Sequence, residues 1–554
     1  MSHTSRIFDR VSIDLPNRSG FDLSHENLFT ATCGTLIPCL CHPLLPNDTI
    51  SLGTNFQVQL PPMVTDFYGK VDAVVEVFFV PNRLLWGGWE SFITHPTKNP
   101  VYPEGTLVEG RPKRLPTINL NGISPSFFTS GSLSDYLGMK SVTVGAWNID
   151  YLISAMPFLA YHRIWDDWYR DTRIQSPLFY KPAVIPGAIV DGYTMGGHLM
   201  TPAYCPYISV AAVGSDELGL STDSNGPVFD GAGDSTLLLG DGVNLLSLRQ
   251  RNWSKGYFTT ATPLPQAGDG AEIQIDVDEN GTGALSIAAI RSANSLQKWE
   301  ERNNFSYRYA DQIYGQFGIY PDAAKMDRAI YLGRTRQVVY NRSVFQTADG
   351  EGGINDVVGS KKGSSQVIAE DTLVGSFRAS EHGYLIALFS LVPHSYYSTG
   401  ASREFSRLES EDFPFPLLAG MGDQKIMRSE LVGIIPNQAA SDAVFGFNDL
   451  YAEYKYIEDE VHGLLRDGQT LDSFAIQRSF EGSGVELSSS FLQIPTNALD
   501  QVQAVATSVQ GFSCWVDMYF TMKKVSTLPA YSLPTLADMK DVHTGHISRG
   551  GTRL

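Results

Sequence analysis

Three stretches of this 554-residue chain bring together residue types that could do chemistry. Asp276-x-Asp278-x-Asn280-Gly281 opens as calcium loops open, with side-chain oxygens at alternate positions. Such a loop needs a bidentate glutamate at its twelfth position, where this chain has Ile287, so a β-turn at Asn280-Gly281 accounts for the residues better. Cys39-Leu40-Cys41-His42 offers zinc ligands, but no second pair lies at zinc-site spacing, and Cys33 falls in the same strand-like region. Small buried strand residues are the expectation there. The third stretch, 290–342, carries nine Lys/Arg against five acids, a net of +4, interleaved with Trp299, Phe305, Tyr307, Tyr309 and Tyr314. Aromatics to stack bases and cations to hold phosphates make the composition of a single-strand-binding surface. For any one of these residues, a solvated helix face over core aromatics is the plainer account. Candidate nucleic-acid contacts are Lys298, Arg302 and Arg308 in this stretch, with Lys523, Lys524, Arg549 and Arg553 near the C-terminus.

No G-x-S-x-G, P-loop, H-E-x-x-H or dinucleotide fingerprint occurs, and nothing singles out a catalytic residue. The expectation is a non-enzyme without cofactor or resident metal. A formal net charge of −18 argues against a free-standing DNA-binding protein as a whole, while leaving room for local basic patches. Cys33, Cys39, Cys41, Cys205 and Cys514 are odd in number and scattered, which points to a reducing compartment rather than a disulfide framework. The N-terminus has no apolar signal core. The longest apolar run, 384–392, is far below the roughly 18 residues of a membrane span. Membrane insertion is not expected.

Gly 51 and Pro 30 beside few long helical patterns point to strands and loops. The clearest element is VDAVVEVFFV, 71–80. Val71, Ala73, Val75, Val77 and Phe79 share an apolar face; Asp72, Val74, Glu76, Phe78 and Val80 share a mixed one. Pro81 stops the strand, and Leu84, Leu85, Trp86, Trp89 and Phe92 predict a short aromatic helix on the sheet. An Asn47-Asp48 turn leads into a strand over 55–60. Residues 384–392 read as a strand buried on both faces, and 514–522 as a strand with one apolar face. Phe158, Tyr161, Trp165 and Trp168 predict an amphipathic helix within 156–173, with Arg163–Asp167 and Asp166–Arg170 as i,i+4 pairs on its polar side. Tyr309, Ile313 and Phe317 predict another helix. Between 186 and 248 lie seven acids and no Lys or Arg, so this long excursion is expected to face outward, away from nucleic acid.

Several blocks in order (FFVPNRLLW with the following Trp and Phe, the IP…LPNDT stretch, PF.AY..IW..WYRD, RNWSKGYFTTATPLPQAG, QKWEERN, PDAAKMDRAIYLG and VFGFNDLYAEYKY) closely resemble the major capsid proteins of microviruses, small single-stranded DNA phages, in their gokushovirus branch. The resemblance covers most of the chain. It implies an eight-stranded antiparallel jelly roll with long loop and helical insertions, about sixty copies of which form a T=1 icosahedral shell around circular single-stranded DNA. Implied partners are the chain itself, the packaged DNA, minor or pilot, internal scaffolding and small DNA-packaging phage proteins, and a host-cell surface receptor. The implied location is the virion, assembled in the bacterial cytoplasm. The expected organisation is an arm at 1–29, one jelly-roll domain at 30–530 and a tail at 531–554. Its insertions are a loop region at 95–148, a helix at 149–175, an acidic outward insertion at 186–281 and a helical, basic segment at 290–342. One departure stands out. The family's three-fold protrusion should lie between the PLPQAG-like and QKW-like blocks, but 268–295 is short here and the long insertion comes earlier, at 186–248. The rival from another class is a bacterial β-sandwich protein that binds or cleaves glycans.

Overall fold

A computed structural model describes residues 18–94, 115–139, 151–178, 239–265, 327–345, 361–434 and 441–530 with short gaps, together with strand pairs within 194–199 and 220–229. Two antiparallel sheets dominate. The first contains β1 (Ser19–Asp22), β2 (His25–Ala31), β4 (Thr49–Gln59), β7 (Tyr340–Phe345), β8 (Lys361–Arg378) and β10 (Cys514–Ser526). Its order is β1-β10-β4-β8-β7, with β2 beside β1 along the same edge of β10. The second contains β3 (Ile37–Leu44), β5 (Val71–Pro81), β6 (Ile330–Val338) and β9 (Gly383–Pro393), in the order β6-β5-β9-β3.

The inward faces of the two sheets share one core. Phe56, Val58, Val516, Met518 and Phe520 come from the first sheet; Val75, Val77, Phe79, Ala387, Phe389 and Leu391 come from the second. Alternation along each strand does this: in β10, Cys514, Val516, Met518, Phe520 and Met522 are buried while Trp515, Asp517, Tyr519, Thr521 and Lys523 are exposed. β9 is buried on both faces, as its unbroken apolar run predicts, with only Tyr384 and Val392 partly open. β4 starts at Thr49, six residues before the strand its pattern predicts, directly after a turn in which Asn47 takes a left-handed φ of 73°.

The mixed face of β5 is buried as fully as its apolar one. A helix at Met156–Ile164 and a π turn at Trp165–Tyr169 lie over it. Phe158, Tyr161 and Trp165 join Phe78, Val80, Ile386 and Leu388 in a second core. This cover turns one sheet of the sandwich into an internal layer. The 3-10 turn Asn82–Leu84 and the helix Trp89–Thr94 follow Pro81 as predicted, with Trp86 and Phe92 rings 6.0 Å apart.

The predicted helix over 156–173 therefore changes register at Trp165, and Arg170 is extended at φ −68°, ψ 133°. Its two ion pairs form, Arg163 Nε to Asp167 Oδ2 at 2.9 Å and Arg170 Nε to Asp166 Oδ1 at 2.6 Å, but they are buried rather than on a polar face. The chain beyond the helix explains this. Asp167 Oδ2 also accepts from the Ala329 amide at 2.9 Å, and Arg163 Nη2 donates to the Asp327 carbonyl at 2.7 Å. A third core, with Phe258, Tyr397, Ile426, Leu431, Phe445 and Phe491, lies under the 397–492 excursion between β9 and β10.

The Asp276 loop, the Tyr309–Phe317 helix, Cys205, most of 186–248, residues 1–17 and the tail 531–554 lie outside the described residues.

Candidate functional site

The Cys39–His42 stretch lies in β3, at the edge of the second sheet, with Cys39 buried and Cys41 and His42 partly buried. Cys33, Cys39, Cys41 and Cys514 are free thiols, and burial pushes the Cys39 and Cys41 thiols up to about 12, so neither is a ready thiolate ligand at neutral pH. Among the described residues no group of three or more His, Cys, Asp or Glu is arranged to hold a metal ion, and no helix is long and apolar enough to cross a membrane.

Of the candidate nucleic-acid contacts, Lys298, Arg302, Arg308, Arg549 and Arg553 lie outside the described residues. Lys523 is exposed on the outer face of β10, opposite Asp22 of β1. Lys524 is turned the other way. Its Nζ sits 2.9 Å from Asp48 Oδ2, on a carboxylate with no solvent exposure, and 3.4 Å from His42 Nε2. Lys524 thus neutralises a buried acid and ties β10 to the turn before β4, which removes it from the set of free cations.

Partial burial, then the neighbouring Lys524, lowers the His42 pKa to about 4. A base held below its unfolded value of 6.5 takes up its proton later in the folded state than in the unfolded one. Its contribution to stability is therefore complete above pH 6.5, is lost progressively as pH falls, and levels off below about 4. Between pH 7 and pH 4.5 the expected loss from this group is on the order of 2 kcal/mol after allowing for its partial exposure. Urea midpoints at the two pH values check it: His42→Gln should flatten the difference, and an unchanged slope would assign the acid sensitivity elsewhere.

The surface over the third core is unusual. Phe405 is 79% exposed, Leu408 87% and Ile457 85%, with Phe413, Phe415, Ile434, Tyr454 and Tyr456 also exposed. Charged and polar side chains tie this apolar ridge to the chain around it. Arg407 donates to Tyr454 Oη at 2.7 Å and to Glu453 Oε1 at 2.9 Å, and its guanidinium lies 4.5 Å over the Tyr454 ring. Arg403 Nη1 bonds Glu430 Oε1 at 3.0 Å, and Glu430 accepts from Tyr257 Oη at 3.0 Å. Burial raises the Glu430 pKa, against the pull of Arg403 and the hydrogen bonds. A groove of about 660 Å³ runs beside the ridge between Tyr257, Arg403, Glu430 and Ile457. Sequence reasoning passed over 399–415 because its apolar residues have no period; the signal was large apolar side chains inside a turn-rich stretch. Scattered exposed apolar residues are ordinary, but Phe405, Tyr454, Tyr456 and Ile457 border one groove, and apolar side chains gathered in this way mark an interaction surface.

The chain as a whole has counterparts among known proteins. Residues 11–536 match the family described as Capsid protein (F protein). Capsid protein VP1 of Chlamydia phage 1 is 25% identical, over 96% of this chain and 97% of its own length. Capsid proteins VP1 of Bdellovibrio phage phiMH2K and Spiroplasma virus 4 are each 23% identical, covering 96% and 94% of this chain and 98% and 95% of their own.

Proposed function

The chain belongs to the phage capsid F protein family, and from that premise we propose that it is the major shell subunit of a small icosahedral phage, sixty copies enclosing circular single-stranded DNA. Its role is structural rather than catalytic. An eight-stranded jelly roll is the finer description that the strand orders support. β2-β10-β4-β8 and β3-β9-β5-β6 pair early strands with late ones in both sheets, as a doubled Greek key does, with β1 and β7 as edge additions. The observation that carries self-assembly is the apolar ridge of Phe405, Leu408 and Ile457, which a free monomer would present to water.

The domain plan that goes with this role is a single jelly roll over 30–530, an arm at 1–29 that reaches a neighbouring subunit and a tail at 531–554. The acidic insertion at 186–281 faces outward and contacts the host receptor, taking the place of the shorter 268–295 segment as the protrusion. The DNA contacts are Lys298, Arg302, Arg308, Lys523, Arg549 and Arg553, on the inner surface. Minor, scaffolding and DNA-packaging phage proteins assist assembly in the host cytoplasm.

Sedimentation velocity on material from producing cells tests this, with protein and nucleic-acid absorbance followed together. One fast boundary carrying both signals, with nuclease-resistant DNA, is the expected result. A species that stays slow with every phage partner present would refute it. Deleting 200–240 should leave that fast boundary in place and impair attachment to host cells; loss of the boundary would show that the segment is part of the shell itself.

A further inference from the structure

Across the outer face of the first sheet, β2, β10 and β4 set two rows of side chains next to each other. Leu28, Asp517 and Gln57 are cross-strand neighbours, and Thr30, Trp515 and Gln59 form the next row. Leu28 is 69% exposed and Trp515 41%, with Phe512 5.2 Å from the Trp515 ring. The turn at 130–138 lies beside these rows. Tyr136 pins it there: its Oη donates to the Thr30 carbonyl at 2.7 Å, and its ring meets Phe29 edge-on at 6.3 Å. Floor and wall enclose a groove of about 660 Å³.

The groove is acidic as well as partly apolar. Asp517 and Asp135 line it, and no Lys, Arg or His does. Asp135 accepts from the Gly131 amide at 2.9 Å, whereas Asp517 has no hydrogen-bond or ion-pair partner among the described residues. A complementary occupant carries positive charge and an apolar side chain within a few residues of each other. The chain itself has such a segment ahead of β1. In SRIFDRV, residues 5–11, Arg6, Phe8 and Arg10 alternate and would share one face of an extended chain, two cations flanking a ring. The same copy cannot seat Arg10 there. Ser19 pairs with Ser526, nine residues along β10 from Asp517, which is about 30 Å. β1 runs antiparallel to β10, so the chain before Ser19 leads away from the groove. The stretch from Arg10 to Ser19 spans at most about 32 Å, with nothing left for turning back.

We propose that this groove receives the N-terminal segment 5–11 of a neighbouring copy, its two arginines on Asp517 and Asp135 and its Phe8 on Leu28 and Trp515. The proposal rests on the shell reading above, which supplies the neighbour, and gives the N-terminal arm a defined docking place. A guanidinium pairs with a carboxylate while lying on an indole face, so Asp517 and Trp515 suit arginine together. A second copy's whole sheet edge would meet the 130–138 turn before it reached the floor, whereas one extended segment fits between them. The two carboxylates make the groove a poor place for nucleic acid.

The test uses the full chain in cells that make every phage partner. Phe8→Cys and Leu28→Cys are built as separate variants with tags of different size and produced together. Their shells, treated with a mild oxidant, should give a covalent pair of the two variants on a non-reducing gel, and shells of either variant alone should not. Thr521→Cys, exposed on the same face but outside the groove, should not substitute for Leu28→Cys. Asp517→Arg should lower the yield of shells about tenfold or more, and adding Arg10→Asp should restore it. Asp517 is exposed, so the thermal midpoint of that variant should match wild type. A bond inside single copies of the doubly substituted chain, without the mixed pair, would overturn the neighbour as occupant. No bond in either arrangement, from shells that form normally, would overturn the groove and leave the shell. Wild-type chain that never gives the fast boundary would remove the shell reading and this contact with it.

Discussion

Arg251→Met is expected to cost the folded chain about 3–5 kcal/mol, more than the loss of most buried methyl groups. Glu76 lies at the middle of β5, inside the sandwich's covered layer, opposite Leu388 of β9 and Arg334 of β6. Its Oε2 accepts from Arg251 Nη1 at 2.7 Å and from Tyr169 Oη at 2.5 Å. Burial and the adjacent Glu76 charge hold the Tyr169 hydroxyl well above its ordinary pKa, so it remains a protonated donor. Arg251 is further fixed by Ser390 Oγ at 3.0 Å and by stacking 5.2 Å over the Tyr169 ring. Without Arg251 the carboxylate keeps one hydroxyl and Arg334, a half-exposed cation 4.0 Å from Oε1. Removing one partner leaves a charge in a dry place, whereas removing both need not. Glu76→Leu with Arg251→Met should therefore recover most of the loss. Guanidinium denaturation of the two variants and the wild type decides it: a single variant as stable as wild type would mean that Arg334 closes in on Glu76.

Leu408→Asp combined with Ile457→Asp should abolish shell formation while leaving the subunit folded. Both side chains are more than four-fifths exposed, so their loss from the monomer changes stability by about 0.5 kcal/mol or less. At a subunit contact each apolar side chain is worth about 1.5–3 kcal/mol, and burying a carboxylate in its place costs further. A closed shell repeats that deficit at every copy, so assembly should fall below detection rather than merely slow. The readout is the fast sedimenting boundary, with circular dichroism and thermal midpoint as controls for the fold. Normal shells from the double variant would move the contact away from this ridge.

The strands of the core were legible because their physics is local. β5, β9 and β10 announce themselves through period-two or unbroken apolar runs, and Pro81 ends β5 where its missing N–H requires. Depth was less legible. Spacing gave the partners of Arg163 and Arg170 correctly, but the chain at 327–329 around one pair and at 175–178 around the other makes them interior. Asp72 and Glu76, on the mixed face of β5, are buried as well, and their partners Arg336, His394 and Arg251 lie far away in sequence. Lys524 read as a tail cation because Asp48, its partner, lies at the far end of the chain. The ridge at 405–457 has no period at all. It follows from which loops come together, and a single strand's pattern carries no trace of that.

The position of β10 has a consequence for how the subunit is made. It lies between the N-terminal strands and β4, hydrogen-bonded to β2 on one side and β4 on the other. On the ribosome, β2 and β4 emerge hundreds of residues before β10 exists, and they must wait with open edges for it. The first sheet is thus completed after nearly the whole chain is synthesised, by insertion of a late strand into an early gap. Such long-range closure is slow, and an open edge is sticky while it lasts. Lowering the growth temperature during production should therefore raise the yield of soluble subunit, as measured by the share of the chain left in the supernatant.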